Sequence, residues 1–165
     1  MDVFDYLNIS ALVDNRICCI HGGLSPEINT VDQIRTIDRA TEPPHQGGFC
    51  DLLWSDPDDV ETWQLSPRGA GLLFGNVPAE EFCHINDLLL ICRGHQMVHE
   101  GFKFWFRFKN VVTIWSAANF NLRCENLGSA MIVDDDLQTQ FITFEGKEKS
   151  IPRYRIYPYL QTVNR

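Results

Sequence analysis

The chain has 165 residues, 44% of them apolar and 22% charged, a globular composition long enough for one domain of ordinary size. Its formal charge of −8 opposes phosphate backbones and anionic membrane surfaces, so neither nucleic acid nor membrane is expected as a partner. The six cysteines, at 18, 19, 50, 83, 92 and 124, show neither CxxC spacing nor the density of a disulfide scaffold. That usage points to a reducing compartment, the cytoplasm first and the nucleus second.

The opening MDVFDYLNISALVDN carries acids and no long apolar core, unlike a secretory signal, and no run reaches membrane-spanning length. Residues 16–20 (RICCI) read as a buried strand, in which adjacent Cys18 and Cys19 point to opposite faces as small buried hydrophobes. Residues 30–39 begin with a capping-box pattern, Thr30 and Gln33, and place Val31, Ile34 and Ile37 at helical spacing. EPPHQGG at 42–48 is the only turn-rich stretch. The acids of DPDDVE at 56–61 lack the glycine and distal glutamate of a calcium loop and read as a solvated turn and helix start.

A second helix is expected to follow Pro78, which suits a first helical turn, with Phe82, Ile85 and Leu88 or Leu89 as its buried stripe. LLLIC at 88–92 and VVTIW at 111–115 read as buried strands. Residues 129–133 and 138–144 flank Asp134, Asp135 and Asp136 as a hairpin. From 151 the chain is basic, punctuated by proline and expected to be extended.

The ends of the apolar runs carry the chemistry. His21 is followed by two glycines and His95 is preceded by one, so each imidazole sits on a rigid strand end with open space beside it. A pair of imidazoles held this way suits a transition metal, although either alone also reads as a hydrogen-bonded structural group. Arg68, in SPRGAGLLFG, can grip a phosphate with two parallel hydrogen bonds or serve as a surface turn. His45, His84 and His99 read as solvated or capping residues.

Five motifs follow in order: HGGLSP at 21–26, LLWSDP at 52–57, SPRGAGLLFG at 66–75, RGHQMVHEG at 93–101 and VVTIWSAANF at 111–120. Together they resemble the phosphoprotein phosphatase family, in its type-2A branch, over about residues 1–145. The resemblance implies an α/β fold, part of a metallophosphoesterase-type β-sandwich with flanking helices. It implies a protein serine/threonine phosphatase, a hydrolase in which two metal ions, manganese or iron with zinc, activate a water for in-line attack. In that scheme His21 and His95 match metal ligands, Arg68 matches an arginine on the substrate phosphate, and Asp56 matches an aspartate near the catalytic centre. The partners implied are phosphoprotein substrates and regulatory and scaffold subunits.

The sequence departs from that pattern in two places. The family's GDxHG, GDxxDRG and GNHE motifs, which supply the other metal ligands, a further arginine and an acid histidine, do not occur. The chain is therefore expected to be a carboxy-terminal part, residues 1–145, with an extended tail at 146–165. Alone it is expected to be inactive. The alternative is a non-catalytic remnant that binds regulatory or scaffold subunits. Second, where the family reads APNYC the chain has Ala117-Ala118-Asn119-Phe120-Asn121, which removes a tyrosine hydroxyl from the substrate cleft.

Overall fold

The computed structural model describes Val3, residues 6–146 and the backbone of 155–158. The order of elements is mixed α/β, as the sequence suggests. The strands are β1 (Ser10–Val13), β2 (Ile17–Ile20), β3 (Asp56–Pro57), β4 (Trp63–Leu65), β5 (Leu72–Phe74), β6 (Leu90–Arg93), β7 (Phe102–Trp105), β8 (Val111–Ile114), β9 (Gly128–Val133), β10 (Thr139–Phe144) and β11 (Arg155–Pro158). The helices are α1 (Val31–Arg35), α2 (Gly48–Trp54) and α3 (Asn76–Ile85), with a 3₁₀ turn at Phe120–Leu122. No helix among the described residues is long and apolar enough to cross a membrane.

The chain divides into two compact units, residues 1–96 with 104–112, and residues 97–103 with 113–165. In the first, β1 pairs antiparallel with β2, and β2 pairs parallel with β6 in the register Ile17 with Leu90, Cys18 with Ile91 and Cys19 with Cys92. The full sheet order is β1-β2-β6-β8-β7. Alternation along these strands sends Cys18, Ile20, Ile91 and Val111 into one apolar core with Leu24, Leu52, Phe74 and Phe82. A smaller sheet, β3-β5-β4, adds Phe74 to that core and brings Asp56 beneath the surface.

The capping box forms as read: Gln33 N–H donates to Thr30 Oγ1 at 3.3 Å, and Thr30 N–H donates to Gln33 Oε1 at 2.9 Å. The helix is shorter than its apolar spacing suggests. Thr36 turns its hydroxyl onto the Gln33 carbonyl at 2.8 Å and closes the last turn. Helix α3 starts at Asn76, two residues ahead of the expected Pro78, which lies inside the first turn where its missing N–H costs nothing; of the expected stripe Phe82 is buried, Ile85 is exposed at the helix end, and Leu88 and Leu89 lie beyond it.

The reading of residues 56–61 is corrected. No helix starts there: Asp56 and Pro57 form the buried strand β3, paired with Leu73 and Phe74. The acids look solvated in sequence because only the first is inside, neutralised by arginines distant in the chain.

In the second unit, β9, β10 and β11 form an antiparallel sheet in the order β11-β10-β9. The expected hairpin turns through the aspartates, with Asp134 N–H donating to the Gln138 carbonyl at 3.1 Å and Leu137 at φ 59°. Phe141, fully buried, stacks on Phe102 with ring centroids 4.1 Å apart. Of the expected tail, 155–158 pairs with β10, while 147–154 and 159–165 lie outside the described residues.

Candidate active site

Strands β2 and β6 run parallel, so both deliver their carboxyl ends to the same edge of the sheet. His21 follows β2 directly, and His95 lies two residues beyond β6. The connection is fixed by backbone, since Gly94 N–H donates to the His21 carbonyl at 3.1 Å. His95 adopts a left-handed backbone, φ 59°, which bends its imidazole back toward His21; the ring centroids are 5.1 Å apart at 64°. Trp54, at the end of α2, meets His95 edge-on at 5.4 Å and 87°.

Gly22 lets α2 approach. Its N–H donates to the Leu52 carbonyl at 2.8 Å, and a Cβ there would lie 2.6 Å from Leu53 O and Trp54 N. Gly23 is equally confined, against Ser55 O and the Phe74 ring.

Beneath the imidazoles lies an ion network with Asp56 at its centre, only 3% exposed. Oδ1 accepts from Arg93 Nη2 at 2.6 Å and Oδ2 accepts from Arg68 Nε at 2.5 Å. Arg93, itself 3% exposed, also donates from Nε to the Gly22 carbonyl at 2.6 Å and from Nη2 to the Ser55 carbonyl at 3.2 Å. Arg93 thus ties the His21 loop to the segment carrying Asp56. Arg68 reaches the same carboxylate from a different loop and keeps about one-third of its side chain in solvent.

Both imidazoles are biased toward the neutral, lone-pair-bearing form. Burial and then Arg93 lower the His21 pKa, with Asp56 opposing. His95 falls to about 4 through burial, then the Arg68 charge, against the pull of Asp56 and with smaller contributions from Arg93 and His21. Its Nε2 is buried and has no hydrogen-bond partner. Burial also lowers the Arg93 pKa, to about 10, against the support of Asp56.

The four residues singled out from sequence, His21, His95, Arg68 and Asp56, therefore converge in one place. Sequence reasoning misses Arg93 and Trp54. Arg93 has a signal in hindsight: an arginine closing a run as apolar as LLLIC must find a buried partner. Trp54 has none, since a tryptophan ending a short helix is ordinary core material.

The chain belongs to the calcineurin-like phosphoesterase family, whose sequence profile matches residues 1–99, and within it to the type-2A branch of phosphoprotein phosphatases. It is 59% identical over 142 residues to the serine/threonine-protein phosphatase sitA of Aspergillus fumigatus, covering 86% of this chain and 37% of that protein. To ppe1 of Schizosaccharomyces pombe it is 53% identical over 156 residues, covering 93% and 51%. To the serine/threonine-protein phosphatase 4 catalytic subunit of Saccharomyces cerevisiae it is 54% identical over 144 residues, covering 87% and 46%. The chain thus spans about half or less of the length of these curated relatives. A solved protein serine/threonine phosphatase from Saccharomyces cerevisiae, with similarity to human phosphatase PP5, superposes with a TM-score of 0.77 at 30% identity, covering 87% of this chain and 49% of that one. The fold is accordingly of the metallophosphoesterase kind, as the motifs imply.

The family implies divalent metal ions. The donors fit in part: two neutral imidazoles face one another, and the buried Nε2 of His95 lacks a partner. They do not close a site, because among the described residues no three or more His, Cys, Asp or Glu side chains converge.

Proposed function

We propose that this chain is part of a metal-dependent protein serine/threonine phosphatase, and that it contributes one wall of the catalytic centre. The observation that carries this reading is the orphaned, buried Nε2 of His95 beside His21, above an arginine pair gripping Asp56. His21 and His95 would donate to a divalent ion, manganese or iron with zinc, and a bound ion would supply Lewis-acid polarisation of a phosphoryl oxygen. Arg68 would bind substrate phosphate. Asp56, with both oxygens on arginines, acts by orienting Arg68 and not by binding metal. The remaining ligands would come from a segment carrying the GDxHG, GDxxDRG and GNHE motifs.

Within the type-2A branch, the wording of residues 37–63, IDRATEPPHQGGFCDLLWSDPDDVETW, supports a subtype most like the protein phosphatase 6 catalytic subunit. Phosphoproteins would be the substrates, and regulatory and scaffold subunits the partners.

Two measurements test this. Manganese added to the 165-residue chain should broaden the His21 and His95 imidazole resonances together, and neither His45 nor His84. The chain fused behind a family member's segment carrying the three missing motifs should hydrolyse a phosphothreonine peptide with manganese, and lose that activity with His95→Ala. Unselective broadening together with an inert, folded fusion would refute the assignment.

A further inference from the structure

Below the imidazoles, Cys19 on β2 and Cys92 on β6 are direct register partners in a parallel ladder. Register partners project from the same face of a sheet, and adjacent strands lie about 4.8 Å apart, inside the roughly 4.4–6.8 Å Cα separation that a disulfide spans. Each thiol is the other's main electrostatic neighbour, Cys92 lowering the Cys19 pKa to about 7 and Cys19 raising that of Cys92. Their exposure differs. Cys92 is buried, whereas Cys19 is partly open to solvent. All six cysteines are free. Cys18 faces the other way, into the apolar core with Cys83, so Cys19 and Cys92 form a separate pair.

The pair sits where a covalent link would matter to the site. Cys19 lies two residues before His21. Cys92 immediately precedes Arg93, the side chain that holds the Gly22 carbonyl and Asp56.

We propose that Cys19 and Cys92 form a redox-modifiable pair, converted by a peroxide to a reversible disulfide that fastens β2 to β6 beneath the His21 and His95 imidazoles. The partly exposed Cys19 thiol is attacked first: hydrogen peroxide oxidises it to a sulfenic acid and releases one water. The Cys92 sulfur then displaces the hydroxyl, forming the S–S bond and releasing a second water. Two thiol hydrogens and one peroxide thus become one disulfide and two waters. A thiol reductant reverses the step by exchange.

The test is peptide mapping of the full chain, with and without hydrogen peroxide, after blocking free thiols. Trypsin leaves Cys18 with Cys19 on residues 17–35 and Cys83 with Cys92 on residues 69–93. A link between these peptides is therefore assigned by fragmentation and by variants. The expected result is a reducible link that survives Cys18→Ser and Cys83→Ser and vanishes in Cys19→Ser, with a shifted His21 imidazole resonance in the linked form. A link mapped to Cys18 and Cys83, or Cys19 driven to sulfinic acid with no link, would overturn the proposal. An unmoved His21 resonance in the linked form would overturn its connection to the site. None of these readouts needs metal or phosphatase activity, so failure here is separable from failure of the phosphatase reading.

Discussion

Arg93 and Asp56 meet Nη2 to Oδ1 at 2.6 Å with the guanidinium wholly out of water and the carboxylate 4% exposed, and the opposite oxygen of the same carboxylate holds Arg68. One buried charge thus positions two arginines of different exposure. The inner one has structural duties to Gly22 and Ser55, and the outer one faces the solvent from which a substrate would arrive.

Removing the inner partner leaves the buried carboxylate with Arg68 alone and takes the donor from the Gly22 and Ser55 carbonyls. Arg93→Met should cost about 3 kcal/mol of stability, the lower end of the penalty for breaking a buried pair, because Arg68 still compensates part of the charge. Arg93→Lys should recover little, because an ammonium cannot reach Asp56, Ser55 O and Gly22 O together. Urea denaturation of the three proteins checks both statements, and a loss below about 1 kcal/mol for the methionine variant would show that the network is not a strut.

Arg68→Ala should behave in the opposite way. Its side chain is one-third exposed and Asp56 keeps Arg93, so the stability change should stay within about 1 kcal/mol. In the fused, complete domain, kcat/KM on a phosphopeptide should drop at least about tenfold, the value of one charge-assisted hydrogen bond to phosphate. A stability loss as large as that of the Arg93 variant, with activity retained, would reverse the two roles.

The placement of His21 and His95 is legible in the sequence because each ends a run too apolar to be anything but a buried strand. Both runs end in glycine-flanked polar residues, and parallel pairing then brings the two ends together. Asp56 is not legible. DPDDVE looks solvated, and only tertiary pairing with Arg93 and Arg68 explains why its first acid is buried while Asp59 and Glu61 are exposed. Helix α2 is missed for a local reason: it starts after Gly47 at φ 90°, without a side-chain cap, so no sequence signal marks its start. The short strands β3, β4 and β5 are too brief for their alternation to be read.

His95 should titrate well outside the ordinary histidine range. A base whose folded pKa lies below its unfolded value holds fewer protons folded than unfolded, so acid favours the unfolded chain. With 6.5 as the ordinary value and about 4 in the fold, this contribution to stability is intact above pH 6.5 and is lost as pH falls toward about 4. The His95 Cε1–H resonance, followed by NMR from pH 8 to 4, should stay at its neutral position through pH 6. In Arg68→Ala the midpoint should rise, because the second-largest cause of the depression is gone. A midpoint near 6.5 in the unsubstituted chain would contradict the packing described for this ring.

Gly22→Ala tests the close approach of α2. The added Cβ would come within 2.6 Å of three backbone atoms, which cannot rotate aside as a side-chain tip could. The helix end must therefore back away, at a cost of about 1–3 kcal/mol or more. The displacement would carry Trp54 from His95, so the His95 imidazole shift should move even where the protein remains folded. An unchanged stability and an unchanged His95 signal would show that the helix has slack.

Asn126 organises the loop that carries Phe120. It is 2% exposed; its Nδ2 donates to the Ala117 and Leu127 carbonyls at 2.9 Å, its Oδ1 accepts from Phe120 N–H at 2.8 Å, and its carbonyl accepts from Asn119 N–H at 2.9 Å. Asn119, Asn121 and Leu122 all take left-handed backbones, which costs energy at a leucine above all, so the loop holds its shape only while these bonds persist. Asn126→Ala would leave the half-buried Phe120 N–H and the Ala117 and Leu127 carbonyls without their partner, a loss of about 1–3 kcal/mol. Asn126→Asp should be worse, because a carboxylate oxygen would then face the Ala117 and Leu127 carbonyls with no hydrogen to offer. Hydrogen exchange should show the amides of Asn119, Phe120 and Leu122 losing protection in both variants while those of β9 and β10 keep theirs. Phe120→Tyr should leave protection unchanged, since the ring at this position is 38% exposed and packs edge-on against Trp115 at 5.1 Å, with room for a hydroxyl to reach water. Were Phe120→Tyr to loosen the loop as Asn126→Ala does, the ring and not the asparagine would be its anchor.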